Sequence, residues 1–111
     1  MSNVLDFTAR KKPYLTVKLD DPNKTVLMVG TPTKGILDEF IAINENLTEN
    51  DGADSEALNE LYEICAKIMS FNKGGIEITP EYLGTFFDVD DISYFIKGYT
   101  TFISSITNAK N

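Results

Sequence analysis

Apolar and polar residues alternate from Tyr14 to Leu19, with Leu15, Val17 and Leu19 on one face and Tyr14, Thr16 and Lys18 on the other. That is the period of a half-buried strand. A cluster of turn formers, Asp20 to Lys24 around Pro22, follows, and Thr25 to Val29 is expected to pair back as the second strand of a hairpin. The period then changes. Gly30 stops the strand, Thr31 can cap, and Pro32 suits a first helical position where its missing donor costs little. Ile36, Leu37, Phe40, Ile41, Ile43 and Leu47 recur at helical spacing and predict a helix packed on the hairpin, with Asp38, Glu39 and Glu45 in water.

Thr48 to Asp54, which includes Gly52, reads as a loop, with Asp54 or Ser55 able to cap a second helix. The stripe of that helix is Leu58, Leu61, Tyr62, Cys65, Ile68 and Met69, and Asn72 to Gly75 end it. A short extended piece, Ile76 to Ile78, leads to Thr79-Pro80, a second cap-plus-proline start, which opens a two-turn helix through Tyr82, Leu83, Phe86 and Phe87. Asp88, Asp90 and Asp91 favour a helix N-terminus, where backbone dipoles leave partial positive charge. Ile92, Phe95, Ile96, Tyr99, Phe102, Ile103 and Ile106 then follow at spacings of three and four, the cleanest period in the chain.

The expectation is an α+β fold, an N-terminal β-hairpin followed by three to four α-helices. Residues 1–13 form an arm that Leu5 and Phe7 could anchor, 14–106 one domain, and 107–111 a fraying tail.

Composition narrows the function more than the fold. A chain of 111 residues, 42% hydrophobic and 24% charged, suits one ordinary core. No apolar run approaches the roughly 20 residues of a membrane helix, and 1–13 lacks the apolar stretch of a secretory signal, so a cytoplasmic address without membrane contact is expected. One cysteine cannot form an internal disulfide, and the absence of histidine removes the commonest general base and the usual zinc ligand. No enzyme activity, catalytic residue, cofactor or metal is expected.

The net charge of −7 is uneven. Residues 1–37 hold six bases and three acids, 38–63 nine acids and no base, and 64–111 four bases and five acids. Such a middle repels a phosphate backbone, so no nucleic acid is expected as partner and a basic protein suits better.

Each candidate site has a structural alternative. Cys65 could be a reactive thiol, but it lies on an apolar stripe where cysteine acts as a small hydrophobe. Asp88, Asp90 and Asp91 could chelate calcium, yet the glycine and later glutamate of a calcium loop are missing and helix capping accounts for them. Gly74-Gly75 lacks the Gly-Lys-Ser or Gly-Lys-Thr string of a phosphate loop. The acidic stretch 38–63 could imitate a nucleic acid, or be two solvated helix faces and a loop.

The aromatic set is the hardest to assign to a core alone. Phe86 and Phe87 are adjacent, as are Tyr94 and Phe95, and neighbours on a helix point about 100° apart. With Tyr99 and Phe102 these six rings are the expected partner-binding residues, since one small core can leave part of such a set on the surface. The same face could also join copies into a homo-oligomer.

The layout resembles the tail assembly chaperones of long-tailed phages and prophages of Gram-positive bacteria. The resemblance rests on Leu5-Asp6-Phe7, Lys12 to Leu19, the second strand leading into Thr31-Pro32-Thr33-Lys34, Leu61 to Ser70 with Asn72-Lys73, Ile78 to Glu81, and Asp91 to Phe102. It covers nearly the whole chain, but as a pattern rather than a diagnostic signature. It implies a non-enzymatic protein that keeps the tape-measure protein soluble and helps recruit tail-tube subunits in the host cytoplasm, without entering the virion. It also implies a longer frameshifted product, for which Ala109-Lys110-Asn111 could carry a slippery run in the gene. The alternative from another class is an acidic inhibitor that mimics nucleic acid and blocks a host or defence protein.

Overall fold

Two strands and four helices form in the computed structural model, which describes residues 3–9, 11–49 and 55–107. The fold is α+β, a two-stranded antiparallel hairpin followed by helices. The expectations placed on Arg10, on Gly52 and the Asp54 cap, and on 108–111 lie outside the described residues, as do the side chains of Leu47 and Ser55.

Strands β1 (Leu15–Lys18) and β2 (Val26–Val29) pair with Leu15 opposite Val29 and Lys18 opposite Val26. Leu27 and Val29 enter the core while Val26 and Met28 face outward, as a period of two requires. The turn closes through the Lys24 N–H, which donates to the Asp21 carbonyl at 3.0 Å, and Lys24 takes a φ of 50°.

Asp21 is buried at the turn, and its carboxylate accepts from the Thr25 N–H at 2.8 Å, from the Thr25 hydroxyl at 2.7 Å, and from the Tyr82 hydroxyl. Burial alone would raise its pKa, but the Tyr82 and then the Thr25 hydrogen bonds outweigh it and lower the value from 3.8 to about 2. A depressed carboxylate contributes stability that is complete above its unfolded pKa and is lost as pH falls toward the folded one. Thermal melting should therefore fall between about pH 4 and pH 2, and Asp21→Asn should flatten that part of the profile, with the unmutated slope persisting in the variant as the contrary result.

Helix α1 (Lys34–Glu49) begins two residues later than its proline suggested. The Thr31 hydroxyl is turned to the Pro13 carbonyl, to which it donates at 3.2 Å. Thr33 is the cap instead, its hydroxyl accepting from the Ile36 N–H at 3.3 Å. The helix also runs through Thr48 and Glu49, which had been expected in a loop, and Ile41, expected on the buried stripe, is exposed.

Helix α2 (Ser55–Ser70) is the hub of the domain, contacting β2 and all three other helices. Its Leu61, Ile64, Cys65, Ile68 and Met69 are all buried. After it, Phe71 to Lys73 run along the outer edge of β2: Gly30 N–H donates to Phe71 C=O and Lys73 N–H to Met28 C=O, each at 2.9 Å. Ile76 to Ile78 form no strand; the Ser70 hydroxyl and Asn72 amide satisfy their backbone instead.

Helix α3 (Pro80–Phe86) starts as expected, with the Thr79 hydroxyl accepting from the Tyr82 N–H at 3.1 Å and Pro80 at the first position. Helix α4 (Val89–Thr107) opens with a reciprocal cap, in which Asp88 accepts from the Asp91 N–H at 2.9 Å and Asp91 from the Asp88 N–H at 3.0 Å. Helix capping is thus what these two aspartates do. Among the described residues no helix is long and apolar enough to cross a membrane.

Candidate interaction surface

Seven residues of α3 leave little helix to cover the aromatic run, and only part of it reaches the core. Tyr99 is 1% exposed and sits at the centre of a ring cluster: Phe40 meets it edge-on at 5.3 Å, Phe95 stacks on it at 5.7 Å, and Phe102 lies at 6.3 Å. Phe95 is buried as well. Of the six expected contact residues Tyr99 is therefore withdrawn from the surface, since it faces Phe40 of α1, while Phe95 is buried but lines a cleft.

Phe87 and Phe102 are half-buried against the core. Tyr94 is 82% exposed and Phe86 is 41% exposed, so the adjacent pairs diverge, one ring inward and one outward. Phe86 packs at 4.9 Å on Tyr82. The Tyr62 hydroxyl donates to the Phe87 carbonyl at 2.9 Å and ties the α3–α4 junction to α2.

Between β1 and α4 lies an open cleft of about 780 Å³. Leu19, Met69, Ile92 and Phe95 form its apolar floor, Leu15 and Val17 the strand wall, and Tyr94, Lys97 and Gly98 the helix wall. Sequence reasoning placed aromatic residues here but missed the strand wall and Met69. The clue lay in the alternation of β1, whose apolar face needs a cover that the short hairpin cannot supply by itself.

The acidic stretch gathers less. Glu39, Glu60 and Glu63 line a smaller groove of about 350 Å³ between α1 and α2, and Lys67 pairs with Glu39 at 2.9 Å across it.

Cys65 is fully buried, and burial pushes its thiol up to about 12. At neutral pH the thiolate, the reactive form, is then a fraction on the order of 10⁻⁵. A thiol reagent should label the native chain only as fast as the domain opens and label it at once in denaturant; immediate native labelling would show an accessible thiol instead.

No protein-family model matches the chain, and neither a curated protein nor a solved structure matches it.

Proposed function

We propose that this chain is a non-enzymatic binding protein that holds apolar segments of another polypeptide on the α3–α4 surface, acting in the cytoplasm as a tail assembly chaperone. The client on this reading is the tape-measure protein, with tail-tube subunits recruited to the complex. The observation that carries it is the placement of Tyr94 in water on the wall of a cleft with an apolar floor, with Phe86 exposed on α3. Large exposed apolar patches on a small domain mark interaction sites, and aromatic rings supply much contact area for little conformational entropy. Helix-in-groove docking is the recognition mode that such a surface suits.

The test is co-expression with a tape-measure fragment that is insoluble alone. The unmutated chain is expected to keep the fragment in the soluble fraction, and Phe86→Ser/Tyr94→Ser to lose it while keeping its circular dichroism and melting temperature. Retained solubility in the double variant would remove this surface from the function.

The groove lined by Glu39, Glu60 and Glu63 is the one feature that favours the alternative, an acidic mimic of nucleic acid. Salt separates the two, since exposed charges more than a Debye length of about 3 Å apart are screened at 1 M while apolar capture persists.

A further inference from the structure

The two edges of the hairpin are not treated alike. Leu19 N–H donates to Thr25 C=O at 2.8 Å, so in this register the odd-numbered residues of β1 exchange hydrogen bonds with β2. Antiparallel alternation then turns the N–H and C=O of Thr16 and Lys18 away from β2. At the far end of β2 the Met28 carbonyl is met by the Lys73 N–H and the Gly30 N–H by the Phe71 carbonyl. Among the described residues no strand meets the outer edge of β1, and the cleft runs alongside it.

An exposed edge beside an apolar floor is a template for strand addition. The chain also carries a segment with the matching pattern. In extended form Leu5, Phe7 and Ala9 share one side of the arm, while Val4, Asp6 and Thr8 share the other. Leu5 is 81% and Phe7 67% exposed, so the arm leaves its apolar side chains off its own body. Charge agrees with the pairing: residues 1–13 hold three bases and one acid, which leaves −9 on residues 14–111.

We propose that the N-terminal arm of a second copy adds as a strand to the free edge of β1, with Leu5 and Phe7 seated in the cleft against α4. The 3-10 turn Phe7–Ala9, held by the Asp6 carboxylate accepting from the Thr8 N–H at 3.0 Å and from its hydroxyl at 2.6 Å, opens on docking. Both bonds are exposed, so water replaces them. The inference shares its cleft with the client reading, so the arm and an apolar client segment would compete for one floor, but it is argued from the edge and the arm.

Two full-length variants test it by sedimentation across a range of concentrations. Leu5→Ser/Phe7→Ser disables the arm and leaves the edge. Thr16→Pro disables the edge and leaves the arm, and because the Thr16 N–H points away from β2 the ladder inside the hairpin survives. The unmutated chain is expected to associate and each variant alone to remain monomeric. An equal mixture of the two should regain association as a heterodimer, since one intact arm then meets one intact edge. A monomeric unmutated chain, including one whose arm folds back on its own edge, would overturn the proposal, as would association that neither variant reduces or a mixture that stays monomeric. The readout is mass rather than client retention, so failure here leaves the client reading standing.

Discussion

Replacing Tyr99 with alanine is expected to destabilise the domain by about 3–5 kcal/mol, the range for emptying a large buried aromatic site. The same substitution at Tyr94, on the same helix, should stay within about 0.5 kcal/mol, as for surface positions without special contacts. Both are tyrosines in α4, and the apolar spacing already separates them, since Tyr99 lies on the stripe with Phe95 and Phe102 and Tyr94 lies off it. The difference lies in what each touches: Tyr99 is packed against Phe40, Phe95 and Phe102, whereas Tyr94 faces water. A small domain has a total stability of about 5–15 kcal/mol, so Tyr99→Ala should leave much of the chain unfolded at physiological temperature. Chemical denaturation of the two variants measures this directly, and equal midpoints would contradict the burial assigned here.

A second large effect is expected in the connection between α2 and α3. The Ser70 hydroxyl both donates to the Ile78 carbonyl and accepts from the Ile78 N–H, each at 2.9 Å. The Asn72 side chain donates to the Met69 and Ile76 carbonyls at 2.8 and 2.7 Å and accepts from the Ile76 N–H at 2.9 Å. Two side chains thus take the place of a strand partner for residues 76–78 and bring buried Ile78 against the core. Removing the Ser70 hydroxyl leaves the part-buried Ile78 N–H and C=O without partners, at about 1–3 kcal/mol each, whereas water replaces the exposed bonds from Asn72 to Ile76. Ser70→Ala/Asn72→Ala should therefore lose stability comparable to a core truncation, and because both anchor one loop the losses should not add simply. Amide exchange gives the local readout: the Ile76 and Ile78 N–H groups should lose protection first, and unchanged protection there would refute the assignment.

The same loop shows where reading the chain directly fell short. Ile76 to Ile78 were expected only as a short extended piece; what the sequence did not show is that the outer edge of β2 is met by Phe71 to Lys73 and that side chains bond the segment that follows. Hydrogen bonding between residues brought together by a turn leaves no periodic mark in a sequence. The displaced start of α1 was not legible either: Thr31-Pro32 has the same cap-plus-proline pattern as Thr79-Pro80, yet the Thr31 hydroxyl turns to the Pro13 carbonyl, 18 residues away in the chain, and Thr33 caps.

The aromatic surface was legible in part. Adjacent rings on a helix must diverge, as Tyr94 and Phe95 do; Phe86 and Phe87 diverge for another reason, because α3 ends at Phe86 and Phe87 takes extended backbone beyond it. For α4 the spacing specifies which ring turns inward, since Phe95 and not Tyr94 lies on the apolar stripe, whereas for Phe86 and Phe87 it depends on how the α3–α4 junction meets α2.

Periodicity and turn chemistry determined the elements of this protein, because backbone sterics and the burial of one face act over neighbouring residues: the hairpin, the Thr79-Pro80 start, the aspartates that cap α4 and its apolar stripe were all local. The inventory likewise determined the absence of histidine and the uneven charge. Only the tertiary structure decided that Asp21 meets Tyr82, that Tyr99 gathers three rings, and that α4 stands off β1 to leave a cleft beside an edge that no strand meets among the described residues. Those contacts join residues far apart in the chain, and their geometry follows from how whole elements pack rather than from any residue's own preference.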